Sequence, residues 1–591
     1  MLKKFIFWFC IIVLFLFFGL KDEYSESFFE SMENKTFDIR QSVLAFSRFA
    51  KPHNKDIVII AIDDASYEYV LDKYGEWPLR RDIYAKITRY IERQKPKNIA
   101  YDLMFVKSMR STPQADNALV EVFKDFDNVY TAINLDYQEE NLRDPVELND
   151  KFAINIKNNS KKVNLDYFEY TNCRVILDGI MNATSNIGVI NVLRGNDGIL
   201  RQMPLVYKYK GKYYPQLGFK VALDALGLKD KKDFVIDKKG NLILDSTHKI
   251  PLISDGTTIL NWYGPGQTFT YIPLHELINA VEGNQPSNKN FDFHNKIVYF
   301  GATASSLFDI KTVPVDKVYP GVEVQTTYVN NLIDSSLVKK ATKPIKITID
   351  IILVLLTISA LLFIGSMTVA TSIIIVTVIA YIALSYFLMA KYNLWLPLIS
   401  PILYALSGYI IAVIYKYLTK SRDFDKQYKL ATTDGLTDLY NHRYFQEQML
   451  MYCQNAERYE TVFSLIILDI DFFKNFNDNF GHQSGDAVLR QVSALLKKNV
   501  RSSDIVCRYG GEEISIILPN ASNEEAVNTA QKLCDIIAEY KFKLSNNRDS
   551  HVTVSLGVST YGADGTVPSE IIESADKRLY NAKNNGRNRV N

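Results

Sequence analysis

Residues 505–518 read Ile-Val-Cys-Arg-Tyr-Gly-Gly-Glu-Glu-Ile-Ser-Ile-Ile-Leu. Two short apolar runs, 505–509 and 514–518, flank Gly510-Gly511-Glu512-Glu513, which is the pattern of a β-hairpin with a tight turn. Glycine supplies positive φ without a Cβ penalty and leaves room for a ligand to approach the backbone. The same turn lifts Glu512 and Glu513 to the hairpin tip. Upstream, 463–470 (Phe-Ser-Leu-Ile-Ile-Leu-Asp-Ile) is apolar enough for a strand buried on both faces. It ends around Asp469 and Asp471, so Asp469 is expected where its carboxylate meets solvent at the sheet edge. Carboxylates from two neighbouring strand ends suit a hard divalent cation that also binds phosphate.

Helices and strands alternate around this pair. Helices are expected over 436–459, 484–498, 524–540 and 569–584, and a further strand over 552–559. In the second helix Val488, Val492, Leu495 and Leu496 share one face. The segment is therefore an α/β sandwich with the hairpin at its heart. Lys474, Lys583 and Arg587 can neutralise phosphates. Asn477 and Asp486 offer an amide and a carboxylate. A carboxylate accepts from N1–H and the 2-amino group of guanine, and adenine lacks that donor pair.

Five motifs occur in order. They are Asp434-Gly-Leu-Thr-Asp-Leu-Tyr-Asn441-His442-Arg443; Leu468-Asp469-Ile-Asp471-Phe472-Phe473-Lys474-Asn-Phe-Asn477-Asp478; Gly481-His482-Gln-Ser-Gly485-Asp486; Arg508-Tyr509-Gly510-Gly511-Glu512-Glu513-Ile514; and Ala575-Asp576 through Tyr580 and Lys583 to Gly586-Arg587-Asn588. In this order and spacing the region 433–591 resembles the GGDEF-domain diguanylate cyclases. The resemblance implies a ferredoxin-like palm of the nucleotidyl-cyclase type. It implies Mg²⁺ (or Mn²⁺) on Asp469, Glu512 and the Ile470 carbonyl, and guanine read by Asn477 and Asp486. The triphosphate would be held by Phe472, Phe473, Lys474, Lys583 and Arg587, with Gly510 and Gly511 shaping the turn. Glu512, Glu513 and Lys474 are the implied catalytic residues, Glu513 assisting at the metal or in deprotonating the attacking 3′-OH. The implied reaction joins two GTP into cyclic di-GMP with release of pyrophosphate, between two facing domains of a homodimer. Ile514 stands where the family usually has Phe; on the hairpin reading it points into the core and leaves the acids untouched. Arg501-Ser-Ser-Asp504, nine positions before Gly510, matches the family's inhibitory product site. His442 and His482 lack zinc spacing and read as local hydrogen-bonding residues.

Apolar runs place the rest of the chain. Residues 5–20 are charge-free behind Lys3 and Lys4; no small-x-small cleavage pattern follows Leu20, which favours an uncleaved anchor. Residues 351–390 are charge-free and too long for one span, with Gly365-Ser366 dividing them; residues 392–415 add a third run. Four spans are expected, 1–20 and three within 345–415. Lys3 and Lys4 before the first, and Lys416, Lys420 and Arg422 after the last, put both termini in the cytoplasm of a bacterium, at its inner membrane. Residues 21–343 then lie outside. Lys339, Lys340, Lys343 and Lys346 fall on the side the rule disfavours, an exemption that long translocated domains allow. In 416–432, Tyr417, Ser421, Phe424, Tyr428 and Ala431 fall on a weak heptad seam, either a parallel dimer helix or a solvated linker.

The outside region reads as mixed α/β, with strands at 56–62, 98–102, 187–192, 258–262 and 296–301 and a helix near 82–94. Its motifs are Asp63-Asp64-Ala-Ser, Trp77-Pro78-Leu-Arg80-Arg81, Tyr101-Asp102-Leu-Met-Phe, Phe300-Gly301-Ala-Thr-Ala304, Asp309, Pro314 and Tyr319-Pro320-Gly321-Val-Glu323. With these it resembles the CHASE type 2 extracellular sensory domain. Asp63, Asp102 and Asp309 either cap helices and turns or line a ligand crevice at strand C-ends. The ligand or partner protein outside is unnamed by the sequence.

The fold class is thus a multi-domain α+β membrane protein: sensor, four transmembrane helices, linker and cytoplasmic cyclase. Its 591 residues divide into roughly four units at ~150 residues each. Lys+Arg 68 against Asp+Glu 66 leaves +2, which argues against a nucleic-acid-coating protein. Five cysteines exclude a disulfide-dense scaffold. The leading expectation is an active, signal-gated diguanylate cyclase. The alternatives are a silent GGDEF receptor for GTP or cyclic di-GMP, disfavoured by the retained Asp469, Glu512 and Glu513, and an ATP-using cyclase, disfavoured by Asp486. No EAL or HD-GYP phosphodiesterase module follows within the sequence.

Overall fold

The computed structural model describes residues 26–106, 113–137, 147–283, 291–307, 309–545 and 548–591. The expected anchor at 1–20 lies outside them. The chain divides into two compact units, Met1–Ala412 and Val413–Asn591.

The first unit begins with α1 (Glu26–Ala45), then β1 (Ile57–Ile62), α2 (Arg81–Glu92), β2 (Asn98–Tyr101), β3 (Val129–Asp136), β4 (Asn172–Arg174), β5 (Ile187–Val189), β6 (Thr270–Pro273), β7 (Ile297–Ala302) and α3 (Gly321–Ile333). The main sheet runs β6-β1-β7-β2-β3, with β5 and β4 both on β3. Every pairing is parallel except β3 with β4. A parallel sheet is covered on both faces, which is why β1 is unbroken Ile-Val-Ile-Ile-Ala-Ile and fully buried. Ile57 and Ile59 join Trp262, Tyr299 and Val322 on one face; Val58, Ile60 and Ile62 join Ile83, Ile87 and Tyr101 on the other. Gly301 has a mechanical role, since a Cβ there would sit 2.3 Å from the Val322 Cβ. Its absence lets α3 close onto β7. Glu323, in the first turn of α3, is fully buried and accepts from the backbone N–H of Gln267 and Thr268 at 2.8 Å and from the Tyr271 hydroxyl at 2.6 Å.

Among the described residues three helices are long and apolar enough to cross a membrane: α4 (Lys343–Phe363), α5 (Met367–Tyr392) and α6 (Ile399–Thr432). The α4–α5 break falls at Gly365-Ser366, as expected. The third helix differs from expectation: it starts at Ile399 rather than Tyr392, and no break separates its apolar part from the polar 416–432. Leu394-Trp395 instead pairs as a short strand with Lys339-Lys340. Helix α1 is clamped against this end of the helices. Glu33 accepts from the backbone N–H of Leu398 (3.0 Å) and Ile399 (2.9 Å) and from Arg40 (3.1 Å). Arg40 is fully buried and donates to the Ser385 hydroxyl (2.7 Å) and the Leu396 carbonyl (2.8 Å). Two residues before Arg40, Asp38 takes both arms of Arg201 at 2.7 and 2.6 Å.

The second unit holds α7 (His442–Tyr459), β8 (Phe463–Ile470), α8 (Phe473–Phe480), α9 (His482–Asn499), β9 (Ile505–Gly510), β10 (Glu513–Pro519), α10 (Asn523–Glu539), β11 (Val554–Thr560) and α11 (Pro568–Asn584). Its antiparallel sheet runs β9-β10-β8-β11. Leu465 and Ile467 face α7 and α11, packing with Phe445, Met449, Ile571 and Leu579. Ile466 and Leu468 face α9 and α10, packing with Val488, Val492, Leu533 and Ile537. Period-two alternation thus feeds two helical layers. Ile514 is fully buried in the second of them. The helix expected from 436 begins only at His442, capped by the Asn441 side chain, which accepts from the Tyr444 N–H at 3.0 Å. Asp434 turns the preceding segment by accepting from the N–H of Leu436 (3.2 Å) and Thr437 (2.9 Å), the local bonds that compete with helix. Helix α8 was not expected from the sequence.

Candidate active site

Register assembles the acids. Asp469 on β8 lies directly opposite Glu513 on β10, and Glu513 pairs with Gly510 across the turn. The connecting residues are Gly511, at φ +53, and Glu512. A slip between Arg508 and Gly510 bulges the hairpin there. Arg508 braces the turn: its Nε and Nη2 donate to the Gly511 carbonyl at 3.0 and 2.8 Å, and its Nη1 reaches both Asp434 oxygens at 3.1 and 3.2 Å. Asp434 also accepts from the Thr437 hydroxyl at 2.7 Å.

The carboxylates are poorly answered. Asp469 is 7% exposed, and Lys583 of α11 donates to it at 2.9 Å. Burial pushes the Asp469 carboxyl above the usual carboxylate range; Lys583 pulls it back, while Glu512 and Asp471 push it up again. Glu513 is raised by burial, then by the charges of Asp469 and Asp576, against the offset of Lys583. Asp576 is raised by burial, with Lys583 opposing. Lys583 is thus the cation that faces several acids. Asp576, one turn before Tyr580 on α11, is a member of this cluster that sequence reasoning did not single out. Its only signal was its place in the Ala575-Asp576 motif.

Oxygen donors held apart from water, under-neutralised and close to a lysine fit a divalent cation with phosphate. Asp469, Glu512 and the Ile470 carbonyl stand at the end of β8 and in the turn beside it. Among the described residues no three His, Cys, Asp or Glu side chains close into a cage.

The triphosphate candidates divide. Phe472 is at φ +56 and 61% exposed, and the Arg587 guanidinium lies 4.2 Å over its ring. The Phe473 ring is buried in the core, so only its main chain is available to a ligand. Lys474 is exposed in the first turn of α8. The α8 N-terminus, at Phe473, is the positive end of its helix dipole. Across the α8–α9 contact, Asn477 has a buried Oδ1 without a partner. Gly485 makes room for it, since a Cβ there would lie 1.9 Å from that oxygen. Asp486, half-buried, follows on α9. An orphaned acceptor beside a carboxylate fits a base edge with N–H donors.

Arg501 and Asp504 lie at the far end of β9, roughly 17 Å along the strand from the turn at ~3.3 Å per residue. Asp504 accepts from the Arg501 N–H at 2.7 Å, and the Arg501 side chain is exposed.

Comparison with known proteins agrees with this geometry. The family model "Diguanylate cyclase, GGDEF domain" matches residues 431–589, and "CHASE2 domain" matches residues 8–367. Among curated relatives, the uncharacterized protein YhcK of Bacillus subtilis is 37% identical over 207 residues, 35% of this chain and 58% of the relative. The response regulator PleD of Caulobacter vibrioides is 38% identical over 28% of this chain and 37% of the relative. Diguanylate cyclase A of Treponema denticola is 40% identical over 27% of this chain and 44% of the relative. The chain therefore spans between 37% and 58% of the length of these proteins. Among solved structures, the coiled coil and GGDEF domain of DgcB from Caulobacter crescentus, in complex with c-di-GMP, covers 32% of this chain and 98% of that chain at 31% identity, with a TM-score of 0.30. The CHASE2 match takes in more than half of the sequence: the chain belongs to the CHASE2 domain family and carries a GGDEF diguanylate cyclase domain behind it.

Proposed function

We propose that the protein is a membrane-bound sensory diguanylate cyclase that condenses two GTP into cyclic di-GMP and pyrophosphate. The observation that carries this is the cluster of acids, buried Asp469 opposite half-buried Glu513 with Glu512 beside them, faced by Lys583, which donates to Asp469 at 2.9 Å a few residues from Arg587. Bound Mg²⁺ would supply charge neutralisation at the α-phosphate and on the attacking oxygen. Asp469, Glu512 and the Ile470 carbonyl would hold it. Lys474, Lys583, Arg587 and the main chain of Phe472 and Phe473 orient the triphosphate. Asn477 and Asp486 take the guanine edge. Glu513, raised above an ordinary glutamate, is placed to receive the 3′-OH proton.

Each domain offers one such site, so the reaction needs two copies facing each other. The polar part of α6 supports a homodimer, because Tyr417, Phe424 and Tyr428 are 73, 67 and 52% exposed on the heptad seam. With 5–20 as a fourth span, the CHASE2 region lies outside the inner membrane and the cyclase inside. Arg501 and Asp504, remote from the turn, form the product-inhibition site.

The test is full-length protein in membranes with GTP and Mg²⁺, products separated by mass. Cyclic di-GMP is the expected product, and Arg501→Ala is expected to relieve its inhibition. GTP bound but unconverted, also after forced dimerisation, would instead indicate a nucleotide receptor.

A further inference from the structure

Asp471 is two residues beyond Asp469, almost equally buried at 6% exposure, and no role has been given to it above. Its surroundings differ. Its Oδ1 accepts from the Ser555 hydroxyl at 2.7 Å, and its Oδ2 from the Thr553 hydroxyl at 2.7 Å and the backbone N–H of Asn588 at 3.1 Å. Its own N–H donates to the Thr553 carbonyl at 2.9 Å. Every donor to the carboxylate is neutral. Two belong to the start of β11, and the third belongs to the segment that follows α11.

That segment is held in an uncommon shape. Arg587 and Asn588 have φ of +61 and +48, which non-glycine residues adopt only where surroundings hold them. At the two strained residues the Arg587 N–H returns to the Ala582 carbonyl at 3.1 Å, the Asn588 N–H goes to Asp471, and the Cys534 thiol donates to the Asn588 side-chain oxygen at 3.5 Å. Beyond them the chain runs along β11, where the Leu556 N–H donates to the Arg589 carbonyl at 3.0 Å and the Asn591 N–H to the Leu556 carbonyl at 3.1 Å. The result is Arg587 over the Phe472 ring, next to Asp471 in sequence.

We propose that Asp471 is a positioning residue for triphosphate binding. It pins the Asn588 amide and thereby fixes Arg587 over Phe472. The inference deepens the GTP reading of the site and rests on it. A carboxylate suits the task because it presents only acceptors, so the two hydroxyls and the amide all donate inward.

The experiment measures affinity of the full-length protein in detergent, with Mg²⁺, for 3′-deoxy-GTP, which lacks the hydroxyl that would attack. Asp471→Ala and Arg587→Ala are each expected to weaken binding roughly tenfold, about the value of one charge-assisted contact. The double variant is expected to bind no worse than Arg587→Ala alone, because the effect of Asp471 passes through Arg587. Asp471→Asn, which keeps an acceptor for the Asn588 N–H, is expected to recover most of the loss. Ser559→Ala is the control: it removes a buried hydrogen bond on β11, to the Ile571 carbonyl at 2.8 Å, and should lower Tm without moving affinity. Losses that multiply in the double variant would overturn the inference, as would a Ser559→Ala loss equal to that of Asp471→Ala. Absence of binding by the wild type would instead remove the GTP reading, and this inference with it.

Discussion

Two carboxylates divide the molecule by what surrounds them. Glu323 of the sensor unit is fully buried, and two backbone N–H groups at 2.8 Å and a hydroxyl at 2.6 Å point at it. Glu513 of the cyclase unit is half-buried, and its neighbours are Asp469, Asp576 and Glu512, with Lys583 as the offset. Burial raises both. In the first the protein supplies the missing hydration and the acid becomes a structural joint. In the second it supplies other acids, and the site is left needing a cation. Buried polar groups cost free energy unless satisfied, so the unanswered cluster marks chemistry and the answered one marks architecture.

The sharpest break of this comparison removes each acid in turn. Glu323→Ala leaves several buried donors without an acceptor, at ~1–3 kcal/mol each. The expected outcome is loss of the sensor fold, read as protease sensitivity of the first unit. Glu512→Ala with Glu513→Ala is expected to do the opposite: cyclase output falls by at least ~10³-fold, the scale of losing charge stabilisation at the reacting centre, while thermal stability is unchanged or higher. Retained activity in the second variant would sink the assignment of the turn acids.

Gly485→Ala sharpens the comparison at the base pocket. Alanine is favoured over glycine within a helix by ~0.5–1 kcal/mol, so α9 should not weaken. Its Cβ, however, would lie 1.9 Å from the Asn477 oxygen and 3.1 Å from Phe473. Asn477 must swing away. KM for GTP is expected to rise roughly thirtyfold, from ~2 kcal/mol of lost base contact, with Tm little changed. A fall in Tm with unchanged KM would place the glycine in packing alone.

Arg508→Ala is expected to cost less, roughly tenfold in kcat, the value of one charge-assisted brace. The turn keeps its strands and loses only the tie from Gly511 to Asp434. Asp434→Ala should reproduce the effect, and the double variant should add little to it.

These ties explain what the sequence could disclose. Strands β8, β9, β10 and β11 were legible because apolar runs and a Gly-Gly turn are local signals. The place of the acids at strand ends was legible for the same reason, but Asp469, expected to meet solvent at the sheet edge, lies on an inner strand and is 7% exposed. Residues 436–441 were misread as helix because the organiser of that turn, Asp434, answers an arginine 74 residues away. Asp471 and Asp576 look like ordinary motif acids until the donors around them are known. The Phe473 ring fills the core, which leaves its main chain for the phosphate role expected of it. In the sensor, Asp63 does cap a helix, accepting from the Ser66 N–H at 2.8 Å. Asp309 pairs with Lys311 at 2.6 Å, and burial beside that pair raises Asp102. The clamp of Glu33 and Arg40 on residues more than 340 positions downstream left no local trace.

The smallest effect is a pH dependence, and its sign follows from the acid cluster. Glu513 in the folded protein titrates above its unfolded value. Between the two values the folded state binds more protons than the unfolded one, so stability falls as pH rises through that window. Above that window, without divalent cation, the folded domain carries the cost of a charged Glu513 facing Asp469 and Asp576. Glu513→Gln removes that charge. In EDTA the variant should therefore unfold a few degrees higher than wild type at pH 7.5, on the order of 1 kcal/mol for a domain of this size. The gap should close as pH is lowered through the raised titration, where wild-type Glu513 takes up its proton. Adding Mg²⁺ at pH 7.5 should narrow it, by stabilising the wild type more than the variant, since only the wild type gains relief of the Glu513 charge. A gap that persisted at low pH would mean that the glutamine stabilises by packing. A gap untouched by Mg²⁺ would mean that Glu513 does not sense the cation, leaving Asp469 and Glu512 to hold it alone.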